Sequence, residues 1–218
     1  MKKLLCVVVA LLCGLSAFAK AGESDLDVGF ELGFATFPVN TGASGVTMEC
    51  VNISGAGINL ASNYQITDYF GFFVDTSYLF PWSTEMVYSV GGTKTTLSNK
   101  NIFSTNFMMN MILGFNGLIP VNEKFNVLVG GGFDFGMILS DSTLLNASEL
   151  DFLFGLGIKA VGKYMFTERI GMNFGFATDL MFGGCYMANI NGFKNSGSLS
   201  GFSIQFRPVV GLTVKFLH

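Results

Sequence analysis

From residue 25 onward the chain alternates apolar with polar or small residues at a period of two, and that alternation predicts strands. In LDVGFELGF, Leu26, Val28, Phe30, Leu32 and Phe34 share one face, with Asp27, Gly29, Glu31 and Gly33 on the other. The same reading sets Phe70, Phe72, Val74, Tyr78 and Phe80 against Gly71, Phe73, Asp75 and Ser77. Further strands follow at about 103–115, 125–137, 152–164, 170–182 and 202–216. A weaker one lies within 51–65, where the apolar phase slips near Ser54-Gly55 from Val51 and Ile53 to Ala56, Ile58 and Leu60. A β-bulge in that strand would account for the slip.

Connections around 64–69, 116–124 and 164–169 are short, whereas those around 38–50, 81–101, 140–150 and 183–199 are longer and rich in Gly, Ser, Asn and Thr. Short and long alternate strictly, as in an antiparallel meander with tight turns at one end and loops at the other. Two of the turns repeat a phrase, YQITDYFG at 64–71 and YMFTERIG at 164–171, one hundred residues apart. Four strands separate the two copies, so the phrase marks equivalent corners half a barrel apart. The longest connection, 81–101, is expected to extend as a hairpin around Gly91-Gly92.

None of the apolar-face positions is charged, and most are Phe, Leu, Ile, Val or Met. An eight-stranded barrel has an interior just wide enough to be filled by side chains, so this many bulky groups must point outward. A wall of that kind is tolerable only against lipid, and a closed barrel is the β-structure that leaves no unpaired edge there. The expected fold is therefore all-β, an eight-stranded antiparallel up-and-down transmembrane β-barrel. Composition agrees: charged residues are 12% of 218, the hydrophobic fraction is 50% and mean hydropathy is +0.51, while 28 Gly and 24 Phe disfavour helices. Aromatics gather toward the predicted strand ends, Tyr64, Phe70, Phe115, Phe125, Tyr164 and Phe216 on the turn side. Phe80, Trp82, Phe103, Phe135, Phe152, Phe182 and Phe202 lie on the loop side. Two such girdles are expected of transmembrane barrels. A net charge of −3 without basic clusters gives no indication of nucleic-acid binding.

The first residues read as a secretory signal: Lys2 and Lys3, the apolar run LLCVVVALLCGL, and Ala17-Phe18-Ala19 as a cleavage site. Residues 1–19 are thus expected to be a signal peptide and 20–218 the barrel domain.

The I/F-T-D/E-x-F/I-G turns, the IPVNEKF turn (119–125) and the alternating GLTVKF near the C-terminus resemble the small eight-stranded outer-membrane barrels of the OmpA, OmpX and OmpW type, spirochaetal barrels included. That resemblance is one of pattern and covers 20–218. It implies a bacterial outer-membrane location, with outer-membrane lipid as the first partner. Such families usually end on an aromatic, whereas Leu217 and His218 follow Phe216 here.

The chemistry the chain carries is sparse. His218 is the only histidine and ends the sequence, so a Ser-His-Asp site has no evident base and no enzymatic role or cofactor is expected. Inward charges are expected to form a salt-bridged network, because buried charges are costly unless paired. Its candidates are Glu31, Asp75, Asp134, Lys159, Asp179 and Arg207, with Glu31 and Arg207 the foremost pair across the closing seam. Nearer the loops the inward positions turn apolar at Phe37, Leu79, Ile102, Ile138, Leu153 and Met181. Such a mouth would hold a small hydrophobic compound, as the OmpW-type resemblance also implies, or its side chains would simply pack together. Cys50 and Cys185 fall in the first and last long connections and are candidates for a disulfide across the seam. Two functions compete: a conduit or binding site for small hydrophobic molecules, and a plugged, adhesin-like barrel whose loops 81–101 and 183–199 meet host or surface proteins. A soluble exported barrel is a third reading.

Overall fold

The computed structural model describes residues 23–43, 46–98, 104–144 and 146–216. Nine strands account for nearly all of them: β1 (Ser24–Ala43), β2 (Val46–Gln65), β3 (Phe70–Val90), β4 (Thr93–Leu97), β5 (Ser104–Pro120), β6 (Phe125–Ser142), β7 (Ala147–Met165), β8 (Ile170–Ile190) and β9 (Phe193–Phe216). Each strand of the ring pairs antiparallel with its neighbours, and β1 closes on β9 while β2 pairs with β3. Eight strands therefore form a closed ring. The ninth, β4, lies outside it and pairs only with β3 in the hairpin that turns at Gly91-Gly92, both at positive φ. The expected signal segment 1–19 lies outside the described residues, as do Ile102 and Phe103.

Alternation sorts the side chains as lipid requires. Phe30, Phe115, Phe133, Ile158, Phe174 and Leu212 are exposed on the outer wall, and Asp27, Glu31, Asn63, Lys159 and Arg207 are buried inside it. The ring strands run from 17 residues (β5) to 24 (β9), well past the roughly 9–11 that a tilted membrane strand needs. Their surplus lies at the end opposite the short turns, so hairpins rise beyond the lipid band on that side. What the sequence presented as loops at 38–50, 140–150 and 183–199 is mostly this continued ladder. For the last of them the reversal is a two-residue turn at Asn191-Gly192, with φ of 50° and 87°. In that conformation Asn-Gly matches the twist of a hairpin.

The short turns are built alike. Thr67 Oγ1 accepts hydrogen bonds from the Tyr69 and Phe70 amides, and Thr167 Oγ1 from those of Arg169 and Ile170. Asn122 Oδ1 does the same for Lys124 and Phe125, so an Asx turn replaces the Thr version in the middle corner. Ser24 pairs with Phe216 and with Tyr64, which puts both ends of the described barrel at the short-turn side, the periplasmic side of such barrels.

β2 meets the expected irregularity at Ser54-Gly55, but only in its pairing with β3. Its pairing with β1 runs unbroken from Pro38↔Cys50 down to Ser24↔Tyr64, and odd positions from Val51 to Asn63 all face inward. The irregularity lies in β3, where Trp82 is the extra residue between Ser54↔Ser83 and Gly55↔Pro81. The apolar phase changes in β2 because the interior itself changes from apolar to polar down the barrel.

Candidate functional site

Two layers fill the lumen. The lower is ionic and centres on Arg207, which is fully buried on β9. Its Nε and Nη2 donate to the two carboxylate oxygens of Asp179 on β8 at 2.7 and 2.9 Å, and Nη1 reaches Glu31 on β1 at 3.2 Å and Asp75 on β3 at 3.5 Å. Planar, forked guanidinium geometry suits this bidentate contact. Lys159 on β7 completes the group at 3.0 Å from Asp75, its ammonium 4.8 Å from the centre of the Phe73 ring. Ser77 donates to Glu31, and Asn59 to Asp75 at 2.8 Å. A second cluster lies closer to the turns, where Lys163 meets Asp25 at 2.6 Å and Asp27 at 2.8 Å. Inward glycines make room for side chains from the next strand but one: a Cβ on Gly33 would come within 2.5 Å of Leu79, and one on Gly157 within 2.5 Å of Ile112. Ions and apolar side chains together leave the middle of the barrel plugged.

Above the plug the interior becomes apolar. Ala35, Val51, Ile53, Leu79, Met86, Met108 and Ile138 form one buried cluster, with Phe37, Tyr88 and Leu153 packed against it. Over this floor opens a cavity of about 300 Å³, at the lower end of the range for small-molecule sites. Phe37, Val51, Ile53, Met86, Ile138, Leu153, Met181 and Leu199 supply its apolar lining. Glu149 and Asp151 contribute from β7, and Thr105, Ser140, Ser200 and Ser203 add hydroxyls.

Beside the cavity the ladder between β1 and β9 stops. β1 pairs with β9 only as far up as Thr36↔Ile204, although both strands continue above that point. Phe37 and Pro38 on one side, and Leu199 to Ser203 on the other, face the cavity across this unpaired stretch. Lower in the same seam, pairing skips from Glu31↔Val209 to Phe34↔Phe206, opposite Pro208, which has no amide hydrogen to give.

A closed ring with a lipid-facing wall, short turns at one end and a plugged lumen finds its counterpart in a family model described as "Outer membrane protein beta-barrel domain", which matches residues 5–206. The chain belongs to that family. Its place is the bacterial outer membrane, and it resembles barrels of the OmpW and OmpX type. Among solved structures, the outer-membrane barrel OprG from Pseudomonas aeruginosa is similar with a TM-score of 0.58 and 16% identity, covering 91% of this chain and 98% of that one. The outer membrane protein AlkL, solved in lipid bilayers, has a TM-score of 0.56 at 11% identity, covering 91% and 92%. Neisserial surface protein A has 0.53 at 13%, covering 88% and 97%. The outer membrane protease OmpT from Escherichia coli shares the fold to a similar degree, with a TM-score of 0.53 at 10% identity and coverage of 91% and 97%. At these identities the likeness is one of fold. No curated protein matches the chain.

Within this outer-membrane barrel, the residues anticipated for an ionic network gather in one layer, and Glu31 and Arg207 stand in direct contact across the seam. Asp134 joins them differently. It is 1% exposed and stands beside Asp179, yet neither of its carboxylate oxygens has a hydrogen-bond partner. Of the anticipated mouth residues, Phe37, Ile138, Leu153 and Met181 line the cavity, Leu79 lies in its floor and Ile102 falls outside the described residues. Val51, Ile53, Met86 and Leu199 were not anticipated, although the phase slip at Ser54-Gly55 already marked Val51 and Ile53 as facing the other way.

The expected disulfide is not formed: Cys50 and Cys185 are both free. They sit on β2 and β8, with β1 and β9 between them. At about 4.8 Å per strand step, that separation exceeds the roughly 7 Å Cα reach of a disulfide.

Proposed function

We propose that this protein takes small hydrophobic molecules from outside the cell into the mouth of the barrel and releases them sideways into the outer leaflet. The observation that carries this reading is the apolar cavity of about 300 Å³ seated directly on a closed ionic plug. A molecule entering the mouth meets buried charges below, where desolvation opposes it, and an unpaired seam at its side. Phe182, exposed on β8, and Phe202, exposed at the edge of the seam where it also borders the cavity, belong to the aromatic belt that marks the lipid boundary. The seam therefore opens at the height where an apolar molecule gains by leaving. Nothing in this route requires bond chemistry, which supports a transport or binding role over an enzymatic one.

The test is a seam that can be closed at will. Phe37 and Ser203 are the next positions in register above Thr36↔Ile204, so Phe37→Cys with Ser203→Cys offers a crosslink in a Cys50→Ser/Cys185→Ser background. Uptake of a fluorescent alkane analogue into vesicles carrying the barrel should fall when the pair is oxidised and recover on reduction. Uptake that ignores the crosslink would refute the lateral route.

A second reading rests on the β3–β4 hairpin. All five β4 residues are exposed, and Lys94 is held by Glu49 at 2.6 Å beneath the tip, so the hairpin stands as a surface for protein contact. It extends loop 81–101, and the Asn191-Gly192 hairpin of 183–199 stands on the same side. Shortening β3–β4 at its tip would abolish binding to a host or surface protein under this reading while sparing uptake.

A further inference from the structure

We propose that the mouth is selective for amphiphiles whose head is a primary ammonium, an inference that rests on the mouth being a binding site for small hydrophobic molecules. Glu149 and Asp151 stand two residues apart on the inner face of β7 and are the only ionisable groups among the described residues that line the cavity, with no Lys, Arg or His beside them there. Asp151 Oδ1 is shielded from solvent and accepts no hydrogen bond. A buried acceptor without a donor is costly to leave unmade, and a charged donor repays it best.

The surroundings distinguish these carboxylates from the plug. Around Arg207 and Lys163 each acid except Asp134 meets a basic side chain of the barrel itself. Lys94 on the β3–β4 hairpin is bound to Glu49, and Lys194 near the tip of the β8–β9 hairpin is not among the residues that line the cavity. The two acids of the mouth thus face an apolar chamber with no cation of their own. A molecule that fits has an alkyl body against Ile53, Met86, Ile138 and Met181, and an N–H donor directed at Asp151. A carboxylate head would meet like charge, and an alcohol head would supply a weaker, uncharged donor.

Calorimetry with the whole barrel in lipid nanodiscs tests this with three probes of equal length, hexylammonium, 1-hexanol and hexanoate, against empty nanodiscs. The expected order is hexylammonium at least tenfold tighter than hexanol, with hexanoate weakest. Asp151→Asn should bring hexylammonium down to about the level of hexanol and weaken hexanol by a much smaller factor, since the amide oxygen still accepts from a hydroxyl. Glu149→Gln should weaken hexylammonium by a smaller factor, and gel mobility before and after heating verifies that each variant is folded. Hexanol binding as tightly as hexylammonium to the unmodified protein would overturn the ammonium preference while leaving the hydrophobic mouth intact. Absence of binding by all three probes would overturn both. Weakening of hexanol and hexylammonium alike in Asp151→Asn would mean that Asp151 shapes the cavity and does not read the head.

Discussion

Two neighbouring carboxylates in the plug should respond in opposite ways to the same change, acid to amide. Asp179 is fully buried and takes two hydrogen bonds from Arg207, at 2.7 and 2.9 Å, and a third from Asn110 at 2.9 Å. In Asp179→Asn the amide nitrogen turns a donor toward the guanidinium, one of the two forked bonds is lost, and Arg207 keeps one uncharged acceptor there beside the longer contacts to Glu31 and Asp75. Removing one partner of a buried pair costs about 3–5 kcal/mol, because the remaining charge stays desolvated. Asp134 is as deeply buried but accepts nothing. Asp134→Asn removes a carboxylate that no basic side chain contacts directly and supplies a donor facing Asp179, so stability should hold within about 1 kcal/mol or rise. Urea unfolding of the barrel in lipid vesicles reports both, read from Trp82, the single tryptophan, which is 51% exposed on the outer wall. If Asp134→Asn lost as much stability as Asp179→Asn, the distinction between a paired and an unpaired lumen carboxylate would be wrong.

Packing and thiol chemistry give two further predictions. Gly157→Val should cost about 1–3 kcal/mol by driving Cβ into Ile112, and combining it with Ile112→Ala should cost measurably less than the two changes added together; additive losses would mean the two positions do not touch. Without reductant, both Cys50 and Cys185 should react with a maleimide once the barrel is unfolded in detergent, the exposed Cys185 reacting first in the folded state, and labelling that required reduction would contradict free thiols.

Most of the architecture was legible because lipid enforces a single rule along every membrane-embedded strand: odd and even positions must differ. The rule named Glu31, Asp75, Asp134, Lys159, Asp179 and Arg207 as inward simply because each interrupts a row of Gly, Asn and Ser. It misled wherever the two environments stopped differing in that way. In β2 the interior at Val51 and Ile53 is as apolar as the lipid outside, so the alternation marked the level of the irregularity at Ser54-Gly55 but assigned to β2 an extra residue that β3 supplies as Trp82. Above the bilayer both faces of a hairpin are wet, alternation fades, and ladder was taken for loop at 183–199 even though Asn191-Gly192 announced the turn. The cysteines lay beyond such reasoning, since proximity across a seam depends on which strands intervene. Glu149 and Asp151 went unremarked because acids above a membrane strand are ordinarily solvated; only the closure of the cavity around them shows otherwise.

The central claim is that the mouth accepts an apolar molecule above a sealed lumen. Diffraction at the bromine edge from crystals of the barrel soaked in 1-bromohexane tests it most directly. The account predicts an anomalous peak inside the cavity, within van der Waals reach of Ile138, Leu153 and Met181 and above the Arg207 layer. Bromine found only on the outer wall, or threaded past Arg207 toward the short turns, would contradict it.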